Sequence, residues 1–177
     1  MVSERIRPYC AEDAKAVRDA HLRAFEGREE EARLVELLHA AGAAPISLVA
    51  TAQPGGRVVG HILFSPVQID GPPGSDPPMM VGLAPVSVLP EYQGRGIGAR
   101  LIREGLQACR EAGYGAAVVL GEPDYYSRFG FEQASEKGLG NEYGVDEHFM
   151  VAELSEVVLD GVSGTVRYRE EFREVSA

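Results

Sequence analysis

A glycine-rich turn between a strand and an amphipathic run constrains this 177-residue chain more than any other feature. The stretch reads Val86-Ser-Val-Leu-Pro-Glu-Tyr-Gln-Gly-Arg-Gly-Ile-Gly98, and the amphipathic run follows directly. This pattern predicts a strand that stops at Pro90, then a turn, then a helix. The first turn of a helix leaves several backbone N–H groups without intrahelical partners, at the positive end of the helix dipole. Because glycines let a ligand approach the backbone closely, the stretch predicts a phosphate or pyrophosphate site.

The same pattern fits more than one kind of nucleotide site. Gly94-x-Gly96-x-x-Ala99 meets the relaxed fingerprint of dinucleotide-binding folds, so a dinucleotide-binding oxidoreductase is one alternative. That fold needs an acidic residue about 20 residues beyond the glycines, and Glu122 lies near such a place. However, no second alternating strand–helix half follows. A phosphate loop of the NTPase type is excluded because no Gly-Lys-Ser/Thr follows the turn.

The net charge and the composition argue against several classes of partner. The net charge of -10 argues against nucleic acid, because phosphate backbones are bound by clustered Lys and Arg. The same charge is compatible with a cationic or amine substrate. No apolar run approaches the ~20 residues that cross a bilayer, and the N-terminus has no apolar signal core. Cys10 and Cys109 lie in different predicted elements without metal-ligand spacing, which predicts two reduced thiols. We therefore expect a cytoplasmic protein without a metal, a nucleic-acid partner or a membrane partner, folded as a single domain over residues 1–177.

The order of predicted elements indicates a mixed α/β fold. Helices are predicted at residues 11–25, 28–41, 97–112 and 124–128, and strands at 5–8, 46–53, 57–69, 79–88, 116–120, 149–154 and 164–168, the last two paired as a hairpin. Pro85 cannot donate a ladder hydrogen bond, which predicts an edge or a bulge in the fourth strand. The apolar run Ala116–Leu120 predicts a strand buried on both faces and parallel to the fourth. His21, on the apolar face of the first helix, is predicted to be a packing residue.

Two motifs together resemble the GNAT superfamily of N-acetyltransferases. Gln93-Gly-Arg-Gly-Ile-Gly98 is similar to the pyrophosphate loop of that superfamily, Gln/Arg-x-x-Gly-x-Gly/Ala, with Gln93, Gly96 and Gly98 at the motif positions. Downstream, Tyr126-Ser-Arg-Phe-Gly-Phe131 is similar to its Tyr-x-x-x-Gly-Phe segment. The two motifs have the order and spacing that the superfamily shows, so the resemblance spans most of the chain.

The resemblance implies a fold and a reaction. The fold is a mixed, mostly antiparallel sheet with helices on both faces, in which a central parallel strand pair splays to admit the pantetheine arm of CoA. The reaction passes an acetyl or short acyl group from acyl-CoA to a small-molecule or peptide amine in a ternary complex, with acetyl-CoA as co-substrate. The implied CoA-binding residues follow the fourth strand and the turn: Val86, Ser87, Val88, Gln93, Gly94, Arg95, Gly96, Ile97 and Gly98. A backbone N–H near Ser87 and Val88 would stabilise the thioester carbonyl during attack. The question of a homodimer is left open.

The resemblance also implies that Tyr126 is the catalytic group facing the CoA sulfur. A phenol, whose pKa is about 10, can protonate a departing thiolate whose thiol titrates near 8.5. Tyr125 is the alternative, because an alignment shifted by one residue exchanges their roles. The general base stays unassigned among His61, Glu122 and the acidic segment Glu26–Glu31. A module that binds acyl-CoA without catalysing a reaction is the alternative function.

Overall fold

The computed structural model describes residues 3–176, which fall into two compact units. The first unit contains the described residues up to Ser65, the segment Ala84–Gly105 and the described residues from Glu170 onward. The second unit contains Pro66–Leu83 and Leu106–Arg169. The predicted domain of residues 1–177 includes terminal positions outside the described residues, and the single-domain interpretation stays a prediction.

Most predicted elements are found within two or three residues of their expected bounds. The helices are α1 (Ala14–Ala24), α2 (Glu30–Ala40), α3 (Ile97–Glu111), α4 (Pro123–Tyr126) and α5 (Glu170–Ser176). The strands are β1 (Ser3–Pro8), β2 (Ile46–Gln53), β3 (Arg57–Asp70), β4 (Met80–Val88), β5 (Ala116–Leu120), β6 (Glu132–Gln133), β7 (Leu139–Asn141), β8 (Phe149–Glu153) and β9 (Gly164–Arg167). Within residues 3–176, no helix combines the length and the apolar character that a membrane span requires. Both cysteines are free thiols, as predicted.

The first unit is built on an antiparallel ladder of β1, β2 and β3. Ile6 pairs with Ala50, and Val49 pairs with His61. An apolar cluster from α1, α2 and these strands forms its core, and residues of α5 pack against it: Val17, Leu34, Val35, Leu38, Ala43, Val49, Val58 and Leu63, with Phe172 and Val175 at the periphery.

Neighbouring residues of β3 indicate which helix covers each face of this ladder. A Cβ atom on Gly60 would lie 3.2 Å from a methyl carbon of Leu101 in α3. The next residue, His61, contacts His21 of α1 through their ring nitrogens. Since successive strand residues point to opposite faces, α1 and α3 cover opposite faces of β3. Helices on both faces are therefore confirmed within the first unit.

The second unit contains the parallel pair. Strand β5 runs parallel to β4 and antiparallel to β8, and β8 pairs with β6. Strand β9 pairs with the end of β3 and with β7. The predicted class, a mixed and mostly antiparallel sheet with a parallel β4–β5 pair, is confirmed. The predicted hairpin of the last two strands is wrong, because β8 lies against β5 whereas β9 lies against β3. Alternating apolar residues indicate a strand but do not identify its partner.

The ladder between β4 and β5 is short. It extends only from Met80 paired with Ala116 to Gly82 paired with Val118, although β4 continues to Val88 and β5 to Leu120. Pro85 lies in the part of β4 beyond the ladder, where its missing N–H costs no hydrogen bond to β5.

Candidate functional site

The turn between β4 and α3 carries a row of open backbone donors. Within the part of the chain that the structure describes, the N–H groups of residues 94–98 have no hydrogen-bond acceptor. Gly94 and Gly96 have φ angles of +79° and +81°, a left-handed conformation that favours glycine, and a Cβ atom on either would point into open space. Several donors that converge on the start of α3 form a site for an anion.

Gln93 has a different role from the glycines that follow it. Its side-chain amide donates to the carbonyl of Val88 at 2.9 Å, and its backbone N–H donates to the carbonyl of Pro90 at 3.3 Å. Gln93 thus ties the turn back to the end of β4. The open donors of the turn begin at Gly94.

Positive charge surrounds this turn. Glu91 forms a two-point ion pair with Arg23 at 2.6 and 2.7 Å and lies 3.4 Å from Arg57. The exposed Arg95 lies over the ring of Tyr92, with its guanidinium carbon 5.0 Å from the ring centroid. Three guanidinium groups beside one carboxylate make the turn locally cationic in a chain whose net charge is -10. Such a local field attracts an anionic ligand.

The end of β4 presents its backbone donors alternately to its two edges. The N–H of Leu89 donates to the carbonyl of Val59 in β3 at 2.8 Å. Because consecutive N–H groups of a strand point to opposite edges, the N–H of Ser87 also points toward β3. The N–H groups of Val86 and Val88 therefore point away from β3. Among the three strand residues named from the sequence, these two have donors aimed at the other edge.

Tyr126 lies in α4 of the second unit, and packing fixes its ring. A Cβ atom on Gly121 would overlap the ring, and the centroid of Phe131 is 5.6 Å away. Burial and the neighbouring Tyr125 raise the pKa of Tyr126 to about 12. Among residues 3–176 its hydroxyl has no hydrogen-bond partner. Tyr125 instead lies under the guanidinium of Arg128, 4.5 Å from its ring centroid. Tyr126 therefore has a phenol that stays protonated at neutral pH and can donate.

The three candidate bases do not all belong to the same unit. His61 and the segment Glu26–Glu31 belong to the first unit, whereas Glu122 belongs to the second. The Glu122 side chain is 78% exposed and lies 3.9 Å from the ring of His148. Within the acidic segment, Glu29 pairs with Arg18 at 3.3 Å.

A histidine network connects four elements of the first unit, α1, α2, β2 and β3, and no local sequence pattern predicted it. Nε2 of His21 lies 2.8 Å from Nδ1 of His61, and Nε2 of His61 lies 2.8 Å from the Ser47 hydroxyl. That hydroxyl lies 3.0 Å from Nε2 of His39. The ring of Tyr9 stacks on His39 with 4.0 Å between centroids. The only signal in the sequence was the presence of His21 and His61 in apolar patterns, which also fits isolated packing residues.

Burial keeps these imidazoles neutral. It lowers the pKa of His21 to about 3 and, together with the charges of His21 and His39, lowers the pKa of His61 well below 6.5. Burial also lowers the pKa of His39, partly offset by a hydrogen bond to the Val35 carbonyl.

The buried histidines predict acid sensitivity of the fold. In the unfolded chain the three histidines accept protons below about pH 6.5. In the folded chain, burial prevents their protonation until the pH is lower. The unfolded state therefore binds more protons in this range, and the free energy of unfolding falls as the pH drops below 6.5. Each group contributes up to about 1.4 kcal/mol per pH unit. Denaturant unfolding of the wild type between pH 7.5 and 5 should show this dependence of the unfolding free energy on pH. The slope should be smaller in His21→Gln and unchanged in the exposed control His148→Gln. Equal slopes in all three proteins would contradict the role of the buried histidines.

Comparison with known proteins identifies the family. Residues 5–134 match the model of the acetyltransferase (GNAT) domain. The chain is 41% identical over 155 residues to the uncharacterized N-acetyltransferase YhbS of Escherichia coli K12, which covers 87% of this chain and 90% of YhbS. The crystal structure of Escherichia coli YhbS in complex with CoA has a TM-score of 0.89 and 38% identity, over 98% of this chain and 93% of that one. A GNAT family acetyltransferase from Brucella melitensis, in complex with acetyl-CoA, has a TM-score of 0.77 and 37% identity, over 96% and 98%.

The matched region contains both motifs recognised in the sequence, the turn at Gln93–Gly98 and the segment Tyr126–Phe131. This match argues against the dinucleotide-binding oxidoreductase, a fold that requires a second alternating strand–helix half. The chain is an N-acetyltransferase and belongs to the GNAT family.

Proposed function

We propose that this protein transfers an acetyl or other short acyl group from acyl-CoA to an amine, by direct attack in a ternary complex. The observation that carries the proposal is the row of open N–H groups at residues 94–98, set among arginines at the start of α3. The complexes of YhbS with CoA and of the Brucella protein with acetyl-CoA support this ligand. We further propose that the two units act as one acetyltransferase domain.

The cofactor would be held at two places in the first unit. The pyrophosphate would accept hydrogen bonds from the N–H groups of residues 94–98, with Arg95 in support, while Gln93 holds the turn in place. The pantetheine arm would follow the end of β4, where the N–H groups of Val86 and Val88 point away from β3. The early end of the β4–β5 ladder at Gly82 is consistent with this path, because beyond it β4 has no registered pairing with β5.

The reaction needs one oxyanion donor and one acid. The amine nitrogen attacks the thioester carbonyl carbon, and the developing oxyanion accepts a hydrogen bond from the N–H of Val86 or Val88. Removal of one such donor in other enzymes costs about 2.7–4 kcal/mol. The carbon–sulfur bond then breaks. Tyr126 gives its proton to the sulfur and regains one from the nitrogen of the new amide, so that CoA leaves as the thiol.

The acceptor is proposed to be a cationic small-molecule or peptide amine. The net charge of -10 favours a positively charged substrate over an anionic one. A thiol-release assay with acetyl-CoA should therefore respond to at least one member of a panel of polyamines, arylalkylamines, aminoglycosides and peptides with free amino groups. The signal should require both acetyl-CoA and the amine. CoA binding without thiol release on any amine would favour the alternative of a non-catalytic acyl-CoA-binding module.

A further inference from the structure

The hydrogen-bond network of His21, His61, Ser47 and His39 supports a proton pattern in which every link has one donor and one acceptor. Nε2 of His39 faces the Ser47 hydroxyl. The backbone of Val35 raises the pKa of His39, which favours a proton on the other ring nitrogen, Nδ1. A neutral imidazole carries one proton, so Nε2 of His39 is bare and accepts the proton of the Ser47 hydroxyl.

The pattern of donors and acceptors continues inward from Ser47. Its oxygen, having donated to His39, accepts from Nε2 of His61. Neutral His61 then has a bare Nδ1, which accepts from Nε2 of His21. The pattern leaves Nδ1 of His21 without a proton. This nitrogen is buried and has no hydrogen-bond partner among the described residues. The network therefore ends inside the protein in an unused basic lone pair.

The network passes beside the end of β4 at His61, which lies in the neighbouring strand β3. Gly60 and Val88 face one side of the sheet, because a Cβ atom on Gly60 would lie 3.5 Å from a methyl carbon of Val88. The next residues, His61 and Ser87, therefore share the other side. Ser87 is buried in β4, and its hydroxyl, like Nδ1 of His21, has no partner in the described range.

The helix that carries His21 is also tied to the glycine turn. Arg23, two residues after His21, holds Glu91 at the entrance of that turn.

The outer end of the network opens into a cavity of about 170 Å³, whose lining includes His39, Tyr9, Arg18 and Glu36. Half-buried His39 is the network member that reaches this cavity. The titratable and charged groups around the network are Tyr9 against His39, Arg18 and Glu36 in the cavity, and Asp13, whose charge acts on His61.

We propose that His21, His61, Ser47 and His39 form a proton relay that carries the proton lost by the acceptor ammonium from the end of β4 to the cavity. This rests on the acyl transfer proposed above. A proton arriving at Nδ1 of His21 releases the Nε2 proton to His61, His61 passes its Nε2 proton to Ser47, and Ser47 passes its own to His39. One proton enters, one leaves from His39 to solvent, and only N–H and O–H bonds change. The overall reaction of an ammonium with a thioester releases one proton, so the stoichiometry balances.

The tautomers give a test that does not depend on the acceptor. Long-range ¹H–¹⁵N spectra of the histidine rings should show His39 with its proton on Nδ1, and His61 and His21 with theirs on Nε2. A proton on Nδ1 of His21 or of His61 would overturn the relay. CoA titration by calorimetry on the same sample separates the two proposals. Wrong tautomers with CoA bound refute only the relay, whereas correct tautomers without CoA affinity refute only the proposed function.

Two substitutions of the partly buried Ser47 test the relay kinetically. One removes the hydroxyl that contacts His39 and His61, and the other keeps it. With the best amine of the panel, Ser47→Ala should lower kcat/KM about a thousandfold at pH 7, in the range of general-base effects. The deficit should shrink about tenfold per pH unit toward the amine pKa near 10, because the free amine no longer needs the relay. Ser47→Thr, which retains the hydroxyl, should restore the wild-type profile. Parallel pH profiles for the wild type and Ser47→Ala, or equal losses in Ala and Thr, would overturn the proposal.

Discussion

Gly96→Val should abolish detectable acetyl-CoA binding while the protein stays folded. The φ angle of Gly96 is +81°, and a side chain there would project from the turn beside the open N–H groups of residues 94–98. Valine would have to move the backbone out of this conformation. If two charge-assisted hydrogen bonds to the pyrophosphate are lost, at about 1.5–3 kcal/mol each, affinity falls roughly 10²–10⁴-fold. Isothermal titration calorimetry with acetyl-CoA measures this loss.

Gly56→Val is the matched control for the backbone cost. Gly56 lies in the turn between β2 and β3 with a φ of +72°, and a Cβ atom there also meets open space. Both variants should lose a similar amount of stability, about 1–2 kcal/mol or somewhat more for a branched side chain. Only Gly96→Val should lose affinity for acetyl-CoA. Equal CoA affinity in the two variants would remove the turn from the binding site.

Tyr126→Phe should reduce kcat about 10²–10³-fold and leave acetyl-CoA affinity nearly unchanged. The phenyl ring keeps the packing against Gly121 and Phe131, whereas the proton donor to the thiolate is lost. Because the pKa of Tyr126 is raised to about 12, the wild-type enzyme should show no loss of activity from this group up to about pH 10. Steady-state thiol release and calorimetry together separate kcat from binding.

Tyr125→Phe controls for the neighbouring phenol. Its ring stays beneath Arg128, and we expect turnover within a factor of about two of the wild type. If instead Tyr125→Phe were inactive and Tyr126→Phe active, the roles of the two tyrosines would be exchanged. Unchanged turnover in both would remove a tyrosine acid from the mechanism.

The parts of the fold that local patterns specify could be predicted. The run Ala116–Leu120 and the amphipathic α3 indicated a buried strand and a helix, and both are found. The turn was predictable because closely spaced glycines directly before a helix start are typical of an anion-binding turn. The ligand proposed for the turn came only from the resemblance, since donors at a helix start suit any phosphate.

Features that depend on distant contacts could not be predicted. The partners of β8 and β9 are chosen by packing across the sheet, which no local pattern encodes. Gln93 matches the motif, yet its hydrogen bonds to Val88 and Pro90 became visible only in three dimensions. The histidine network joins residues 8 to 40 positions apart, so each histidine by itself resembled a packing residue.

A crystal structure of this protein with CoA would show directly whether the turn at residues 94–98 binds the pyrophosphate. We expect pyrophosphate oxygens about 3 Å from the backbone nitrogens of residues 94–98, with the pantetheine arm beside Val86 and Val88. A pyrophosphate bound elsewhere on the chain, with those nitrogens left to solvent, would contradict it.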